Sequence, residues 1–207
     1  MTIIIGWTLL SFISGSLMFS YWLGLVAKRN LKAHGDGNPG ALNLWRTAGY
    51  GYGLAGIALD FAKGYAPLLW IVHANAVSGY WIVLPSTAAL LGHVFSPFMR
   101  GRGGKAIAAT FGVWSALTGF SASLAYAIIL ALLLVITRWQ RKGKPLTAEA
   151  DALQVVLGML LLGVYVYVSG FYDGEMLLFW LINLVLLGYT HRNELRRLLS
   201  SNRTDCQ

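Results

Sequence analysis

Seven apolar runs, separated by short polar segments, divide the chain from end to end. They cover about residues 3–27, 50–72, 80–99, 106–118, 120–137, 153–168 and 176–187. A helix needs ~20 predominantly apolar residues to cross the hydrocarbon core of a bilayer. The fourth and seventh runs are shorter, which is tolerated where a helix packs inside a bundle. The pattern therefore predicts an all-α integral membrane protein with seven transmembrane helices.

Composition agrees with this assignment. The 207 residues are 57% hydrophobic and only 12% charged, whereas charged residues make up about a quarter of a typical soluble domain. We expect a single membrane domain over residues 1–207. The one cysteine, Cys206, excludes a disulfide within the chain. Because Lys28 and Arg29 follow the first run and no basic segment precedes it, we interpret that run as a retained helix rather than a signal peptide.

Basic residues predict the orientation. If the N-terminus lies outside, the inside segments hold 15 of the 16 basic residues, and Lys63 lies within a run. The outside segments carry Asp173 and Glu175 instead. Cytoplasmic loops are rich in lysine and arginine, so we expect a cytoplasmic C-terminus. The pattern also explains the net charge of +8 without nucleic acid as a partner. The inside residues are Lys28, Arg29, Lys32, Arg46, Arg100, Arg102, Lys105, Arg138, Arg141, Lys142, Lys144, Arg192, Arg196, Arg197 and Arg203.

A glycine-rich polar segment, which we call loop 1 (residues 35–46), follows the first run. Its sequence is Gly-Asp-Gly-Asn-Pro-Gly-Ala-Leu-Asn-Leu-Trp-Arg. Gly35, Gly37 and Gly40 allow tight turns and a close approach of the backbone to a ligand. Successive N–H groups in such turns form a concavity that binds anions. Arg46 adds a planar guanidinium that suits phosphate. Loop 1 is therefore a candidate phosphate-binding segment.

A second segment of this kind, loop 2 (residues 100–105), follows the third run and reads Arg-Gly-Arg-Gly-Gly-Lys. If Lys105 begins the fourth helix, the backbone N–H groups there favour an anion and the lysine adds a point charge. The spacing of a Walker phosphate loop is absent. The alternative is that loop 2 is only a basic cytoplasmic turn before a helix.

Three ionisable residues lie inside apolar runs. Asp60 and Lys63 are three positions apart, which on a helix puts them on one face and close enough to pair. The pair either fixes helix packing or borders a site, because ionisable groups at membrane depth face a partner or a cavity. His93 is either a satisfied core residue or part of a site near loop 2. We find no histidine at metal-ligand spacing from it, and we expect no metal site.

The polar segment 189–194, Tyr-Thr-His-Arg-Asn-Glu, ends the seventh run. It is either an interfacial anchor or another wall of the same site. Three segments on the cytoplasmic side thus carry groups suited to phosphate. Such a face on a membrane protein indicates an enzyme that joins a lipid-soluble chain to a phosphorylated, water-soluble partner.

These motifs, in this order, resemble the PlsY-type glycerol-3-phosphate acyltransferases of bacterial inner membranes. The resemblance extends over nearly the whole chain, and it is the combination of motifs that is specific. The matching positions are Gly15-Ser16, the Gly-x-Gly-Asn-x-Gly-Ala-x-Asn-x-x-Arg frame of loop 1, Asp60-Phe-x-Lys63-Gly64, Gly92-His93, Gly103-Gly104-Lys105 and Tyr189-x-His191-Arg192.

The resemblance implies a reaction. The family transfers an acyl chain from acyl phosphate to the 1-hydroxyl of glycerol-3-phosphate and releases phosphate and lysophosphatidate, without a metal or another cofactor. It implies a multi-pass protein of the bacterial inner membrane with its active site facing the cytoplasm, whose partners are glycerol-3-phosphate, acyl phosphate and membrane lipid. No dedicated protein base is implied, since the leaving group itself takes the hydroxyl proton. This agrees with a sequence in which we identify no Ser-His-Asp or Cys-His arrangement.

The resemblance also implies roles for individual residues. Asn38, Asn43 and Arg46 would hold the acyl phosphate and its reacting centre, and Lys105 and His191 would bind the phosphate of the acceptor. His93 and the Asp60–Lys63 pair would shape the cavity. The remaining expected substrate-binding residues are Gly35, Asp36, Gly37, Gly40, Gly103, Gly104 and Arg192.

This chain departs from the family pattern at several positions. Asp36 stands in place of a serine and Leu42 in place of a threonine, and Asn193-Glu194 reverses the usual order. A basic segment at 141–149 replaces a serine-rich one. A carboxylate beside a phosphate is repulsive unless it is protonated or paired with a cation. Neighbouring basic residues therefore compensate Asp36, or the substrates differ, or activity is lost.

Two other classes of function stay open. A transporter of anionic lipid would use the basic face as its entry, but we find no inverted repeat in the sequence. An inactive scaffold with the family fold is the other, and Asp36 and Glu194 favour it. The enzyme is favoured by the retained residues Asn38, Arg46, Lys105 and His191.

Overall fold

The computed structural model describes residues 1–143, 145–170 and 173–204, with side chains in the last helix as far as Ser200. Lys144, Cys206 and the side chain of Arg203 lie outside the described residues. Within the described part all regular structure is helical. The helices are α1 (Thr2–Ser16), α2 (Phe19–Val26), α3 (Ala41–Ala48), α4 (Tyr50–His73), α5 (Val83–Val94), α6 (Ile107–Thr118), α7 (Ser121–Gln140), α8 (Ala148–Val168), α9 (Gly174–Thr190) and α10 (Arg192–Thr204). Short 3-10 turns lie at Leu31–Ala33, Gly79–Ile82 and Pro97–Met99.

The first apolar run, predicted as one helix over 3–27, is broken into α1 and α2. Leu17 has an extended backbone conformation at the break (φ −64°, ψ 122°). The Lys63 ammonium on α4 donates a hydrogen bond to the Leu17 carbonyl, and the Ser14 hydroxyl donates to the Lys63 carbonyl at 2.8 Å. Together α1 and α2 still give one candidate membrane span, Thr2–Val26. The prediction of a continuous helix is wrong because α4, not the apolar pattern, stabilises the break.

Other boundaries differ where polar residues belong to helices. Helix α8 begins at Ala148 rather than 153, because the Thr147 hydroxyl caps it by accepting from the Ala150 N–H at 3.3 Å. Its first turn carries Glu149 and Asp151, which suit the positive end of the helix dipole. The third run, 80–99, contains only 12 α-helical residues, between two 3-10 turns. Helices α3 and α10 are absent from the predicted spans because neither is an apolar run.

Five helical segments are long and apolar enough to cross a membrane, among the residues that the structure describes. Helices α9 and α10 form a sixth candidate if the pair, bent by 64°, counts as one span. Helix α6 has 12 residues and is apolar but short. The structure therefore supports an integral membrane protein with five to six candidate spans. The difference from the predicted seven lies in α6 and, if the bent pair is not counted, in α9.

Two compact units make up the chain, Met1–Phe120 and Ser121–Gln207. In the first, α1 packs on α5 and α4 packs on α6. Glycines allow both contacts: a Cβ at Gly15 would lie 1.9 Å from the Ala89 carbonyl oxygen, and one at Gly112 would lie 2.2 Å from that of Phe61. Small residues let membrane helices approach closely in this way. In the second unit α8 packs against α7, α9 and α10. The single membrane domain expected from the sequence stays a prediction.

Candidate active site

Loop 1 folds around the side chain of Asn43, which lies on α3 and is 3% exposed. Its amide nitrogen donates to the His34 carbonyl at 3.1 Å, to Asp36 Oδ1 at 2.9 Å and to the Asn38 carbonyl at 2.9 Å. An amide has two hydrogens, so at least one of them is shared between two acceptors. Asn43 is therefore the internal anchor of loop 1.

Two glycines of loop 1 adopt backbone conformations that other residues rarely take. Gly35 has φ +58° and Gly37 has φ +73°. A Cβ at Gly35 would also lie 2.7 Å from Asn43 Oδ1. Gly40 precedes the first residue of α3, and a Cβ there would lie 2.9 Å from Asn38 Nδ2. The glycines predicted from the sequence thus permit the turns and bring the backbone against the asparagines.

Loop 2 folds back onto the end of α5. The Gly103 N–H donates to the Val94 carbonyl at 2.9 Å, and the Gly104 N–H donates to the His93 carbonyl at 3.1 Å. A Cβ at Gly103 would lie 1.9 Å from the His93 carbonyl oxygen, and one at Gly104 would lie 2.3 Å from His93 Nε2. His93 is 4% exposed. The His93 ring therefore packs against Gly104 and the His93 backbone carbonyl against Gly103, so that each position leaves no room for a Cβ.

Lys105 precedes helix α6 rather than beginning it. The helix starts at Ile107, after Ala106 in a left-handed conformation (φ 61°). The side chain of Lys105 instead reaches loop 1, where its ammonium group lies 2.6 Å from Asp36 Oδ2. The two side chains are 15% and 16% exposed. This ion pair links the two loops that the sequence singles out as phosphate-binding segments.

The Asp36 carboxylate has a donor on each oxygen. Oδ2 accepts from Lys105, while Oδ1 accepts from the Asn38 N–H at 3.1 Å and from Asn43 Nδ2 at 2.9 Å. Burial alone raises the pKa of this carboxyl, but the hydrogen bond and charge of Lys105, with the donors from Asn38 and Asn43, outweigh it and lower the pKa. Asp36 is therefore ionised near neutral pH. Of the alternatives for Asp36, the geometry supports the one in which a neighbouring lysine compensates its negative charge.

The remaining loop 1 candidates present side chains that a ligand could use. Arg46 is exposed on α3 and Asn38 is half-buried. Neither side chain makes a hydrogen bond or ion pair with the residues that the structure describes. Guanidinium and amide groups are suitable donors to phosphate oxygens.

Asp60 and Lys63 form the predicted ion pair, with 2.9 Å between Asp60 Oδ1 and Lys63 Nζ. The two residues are 2% and 3% exposed. Asp60 Oδ2 also accepts from the Ser20 hydroxyl at 2.5 Å, and Lys63 donates to Leu17. Ser20 and Leu17 lie at the break between α1 and α2, so the geometry favours a packing role for the Asp60–Lys63 pair. The sequence reasoning does not single out Ser20; a hydroxyl within an apolar run is the only signal for it.

His191 and Arg192 lie in the second unit, where α9 meets α10. His191 is 1% exposed, and its Nδ1 lies 2.9 Å from the Leu187 carbonyl. Arg192 donates to the Tyr189 carbonyl at 2.7 Å and places its guanidinium 4.2 Å from the centre of the Tyr189 ring. Glu194 is 5% exposed and lies 3.7 Å from Arg197. The structure therefore brings together the predicted residues of loops 1 and 2, within the first unit.

Comparisons with known proteins agree with this architecture. The family model for glycerol-3-phosphate acyltransferase matches residues 5–201. Glycerol-3-phosphate acyltransferase 1 of Thermotoga maritima is 37% identical over 194 residues, which are 92% of this chain and 95% of that protein. The glycerol-3-phosphate acyltransferase of Desulforudis audaxviator is 35% identical over 191 residues, covering 92% and 89%.

Two solved structures have the same fold. The crystal structure of PlsY (YgiH), an integral membrane glycerol 3-phosphate acyltransferase, in its glycerol 3-phosphate form has a TM-score of 0.81. It is 26% identical, and the match covers 96% of this chain and 92% of that one. The lysophosphatidic acid form of PlsY has a TM-score of 0.80. Given a family match over nearly its whole length, the chain belongs to the glycerol-3-phosphate acyltransferase family.

Proposed function

We propose that this protein transfers a fatty acyl chain from acyl phosphate to the 1-hydroxyl of glycerol-3-phosphate, in phospholipid synthesis. Family membership supports glycerol-3-phosphate as the acceptor, and the two PlsY structures contain that substrate and the lysophosphatidic acid product. Acyl phosphate as the donor is supported by the sequence resemblance. The observation that carries the proposal is a cluster of donors suited to an anion. Lys105, Asn38 and Asn43 all donate to the carboxylate of Asp36.

The proposed step needs little covalent chemistry from the protein. The 1-hydroxyl oxygen attacks the acyl carbonyl carbon, the bond from that carbon to the phosphate oxygen breaks, and phosphate leaves with the hydroxyl proton. Two anionic substrates must approach each other for this to happen. Fixed cations and N–H donors lower that barrier by holding the phosphates in place and by stabilising charge as it moves to the leaving group.

Residue roles follow from what each side chain offers. Lys105 supplies an ammonium group to the acceptor phosphate, and Arg46 and Asn38 supply donors to the acyl phosphate. Asn43 acts as a positioning residue, because its amide donates to the backbone carbonyls of His34 and Asn38. His191 and Arg192 are proposed as further phosphate ligands on the resemblance alone.

The proposed membrane arrangement has seven spans, an N-terminus outside, a C-terminus in the cytoplasm and loops 1 and 2 on the cytoplasmic side of a bacterial inner membrane. Helix α6 is the fourth of these spans in chain order. Its 12 residues extend roughly 18 Å, so it must lie packed within protein rather than cross lipid alone. Single cysteines at Arg102 and Glu175, in a Cys206→Ser background, test the orientation. We expect a membrane-impermeant maleimide to label the Glu175 position in intact cells and the Arg102 position only after lysis.

Acyl transfer by purified protein in lipid nanodiscs tests the reaction. The protein is given labelled glycerol-3-phosphate with acyl phosphate or with acyl-CoA. We expect lysophosphatidate from acyl phosphate only, its loss in Lys105→Ala, and normal activity in Lys142→Ala, a matched exposed lysine outside both loops. Product formed from acyl-CoA but not from acyl phosphate would mean that acyl-CoA is the donor. No product from either, in folded protein, would contradict the proposal.

A further inference from the structure

The Asp36 carboxylate occupies a site built for an anion. Its donors come from a backbone N–H (Asn38), a side-chain amide (Asn43) and an ammonium group (Lys105). Lys105 is 69 positions away from Asp36 along the chain. Backbone N–H groups, amides and lysine are the groups that proteins also use to bind phosphate oxygens. A side-chain anion thus stands among donors that suit the phosphate of a substrate.

The two oxygens of the Asp36 carboxylate have different hydrogen-bond partners. Oδ1 is held by donors of loop 1 itself, from Asn38 and Asn43, while Oδ2 faces Lys105 of loop 2. A phosphate that replaced Asp36 at Lys105 would displace the contact at Oδ2. The bonds at Oδ1 would keep loop 1 in its conformation, so the exchange requires no refolding of the loop.

The charges of Asp36 and Lys105 affect how strongly this site attracts a phosphate. Asp36 and Lys105 neutralise each other at 2.6 Å, so the pair offers little net attraction to a phosphate dianion. The side chains are 15% and 16% exposed, so a ligand can reach them from solvent. Once bound to Lys105, the phosphate would lie next to an ionised carboxylate, and like charges at that distance repel.

We propose that Asp36 is a specificity-determining residue that competes with the substrate phosphate for Lys105 and thereby weakens binding of glycerol-3-phosphate. This rests on the proposed function in one respect, that the acceptor phosphate binds at Lys105. The residue acts as an internal ligand that excludes weakly bound anions from the site.

The opposite role would be a positioning residue that orients Lys105 toward the substrate. The two roles predict opposite signs. Removal of a competitor tightens phosphate binding, whereas removal of a positioning residue loosens it. The variant of choice is Asp36→Asn, because it removes the charge and keeps an oxygen that accepts from the Asn38 N–H. Asp36→Ser is a second variant for the case in which the first does not fold.

The experiment measures the dissociation constant of inorganic phosphate by titration calorimetry, and in parallel the KM for glycerol-3-phosphate. We expect both constants to fall about tenfold in Asp36→Asn, since one unit charge close to the ligand is removed at a partly exposed site. The matched control is Glu149→Gln, which removes a carboxylate paired with Arg197 at 2.9 Å and changes net charge equally. Neither constant should change in it.

The two readouts separate this inference from the proposed function. Tighter phosphate binding in Asp36→Asn without acyl transfer by any form of the protein would support the competing carboxylate and contradict the reaction. Acyl transfer by the wild type with unchanged or weaker phosphate binding in folded Asp36→Asn and Asp36→Ser would overturn the inference and leave the reaction standing. Equal tightening in Glu149→Gln would also overturn it, because the effect would then come from net charge.

Discussion

The ammonium group of Lys63 donates a hydrogen bond to the carbonyl of Leu17, at the point where the first apolar run breaks into α1 and α2. A cation suits the end of a helix, where carbonyls lack partners within the helix. On its other side Lys63 pairs with Asp60 at 2.9 Å, and Asp60 binds Ser20 in the first turn of α2. One buried ion pair on α4 thus holds both sides of the break.

Replacement of Lys63 by methionine should destabilise the protein by about 3–5 kcal/mol, because it leaves the buried Asp60 carboxylate without its cation. The double variant Asp60→Leu with Lys63→Met should recover at least half of that loss, since a buried ion pair replaced as a whole by apolar residues is often nearly neutral. Unfolding midpoints in detergent, followed by circular dichroism, measure both. Equal losses in the single and double variants would show that the hydrogen bonds to Leu17 and Ser20 matter more than the unpaired charge.

Loop 2 should tolerate no side chain at its two consecutive glycines, Gly103 and Gly104, and the atoms that block a side chain differ between them. Gly103→Ala places a Cβ against the His93 carbonyl, and Gly104→Ala places one against the His93 ring. Each should lower acyl transfer by at least about tenfold by displacing Lys105, as small misplacements of binding groups are costly in catalysis.

Only the second of these variants should be rescued by His93→Ala, because only that clash is with a side chain. The matched control is Gly51→Ala, where a Cβ meets nothing within 4 Å. Acyl transfer rates of the wild type, the two glycine variants, the two double variants with His93→Ala and the control check the prediction. Rescue of Gly103→Ala by the same change would contradict the observed backbone contact.

Asn43→Asp should harm the enzyme more than Asn43→Ala. The alanine removes donors to Asp36 and to two backbone carbonyls, and unsatisfied groups of this kind lower stability by about 1–3 kcal/mol each when buried. The aspartate also places a second carboxylate where the amide donated to Asp36 at 2.9 Å. We expect kcat/KM to fall about tenfold or more in the alanine variant and further in the aspartate variant. Similar values in both would show that repulsion from Asp36 is unimportant.

The effect of Asp36 should not depend on pH in the neutral range. Its pKa is lowered from 3.8, so its pairing with Lys105 is fully present above that value and is lost as the pH falls through the lower, folded-state pKa. The ratio of dissociation constants, wild type over Asp36→Asn, is therefore measured with sulfate, which stays a dianion across this range whereas inorganic phosphate does not. It should stay constant between about pH 5 and pH 8. Titration calorimetry at several pH values measures the ratio. A ratio that falls steadily from pH 8 to pH 5 would mean that the carboxyl is protonated in this range.

Local features of the chain could be predicted from the sequence. The apolar runs predict the long helices, because a helix in a membrane must satisfy its backbone internally and cover itself with apolar side chains. The pairing of Asp60 with Lys63 follows from a spacing of three within one helix. Glycines in polar segments mark loops 1 and 2, since only glycine readily takes the left-handed conformations found at Gly35 and Gly37.

Contacts between distant segments were decided by the tertiary structure alone. Lys63 and Leu17 are 46 positions apart, and Lys105 and Asp36 are 69 apart, so no periodicity relates them. The break in the first run, the pairing of Asp36 and the support of Gly104 by His93 all depend on which helices pack together. Hydropathy reports whether a segment is buried in lipid or protein, but a polar group's partner is set by the geometry of packing, and that geometry gives Asp36 its lysine.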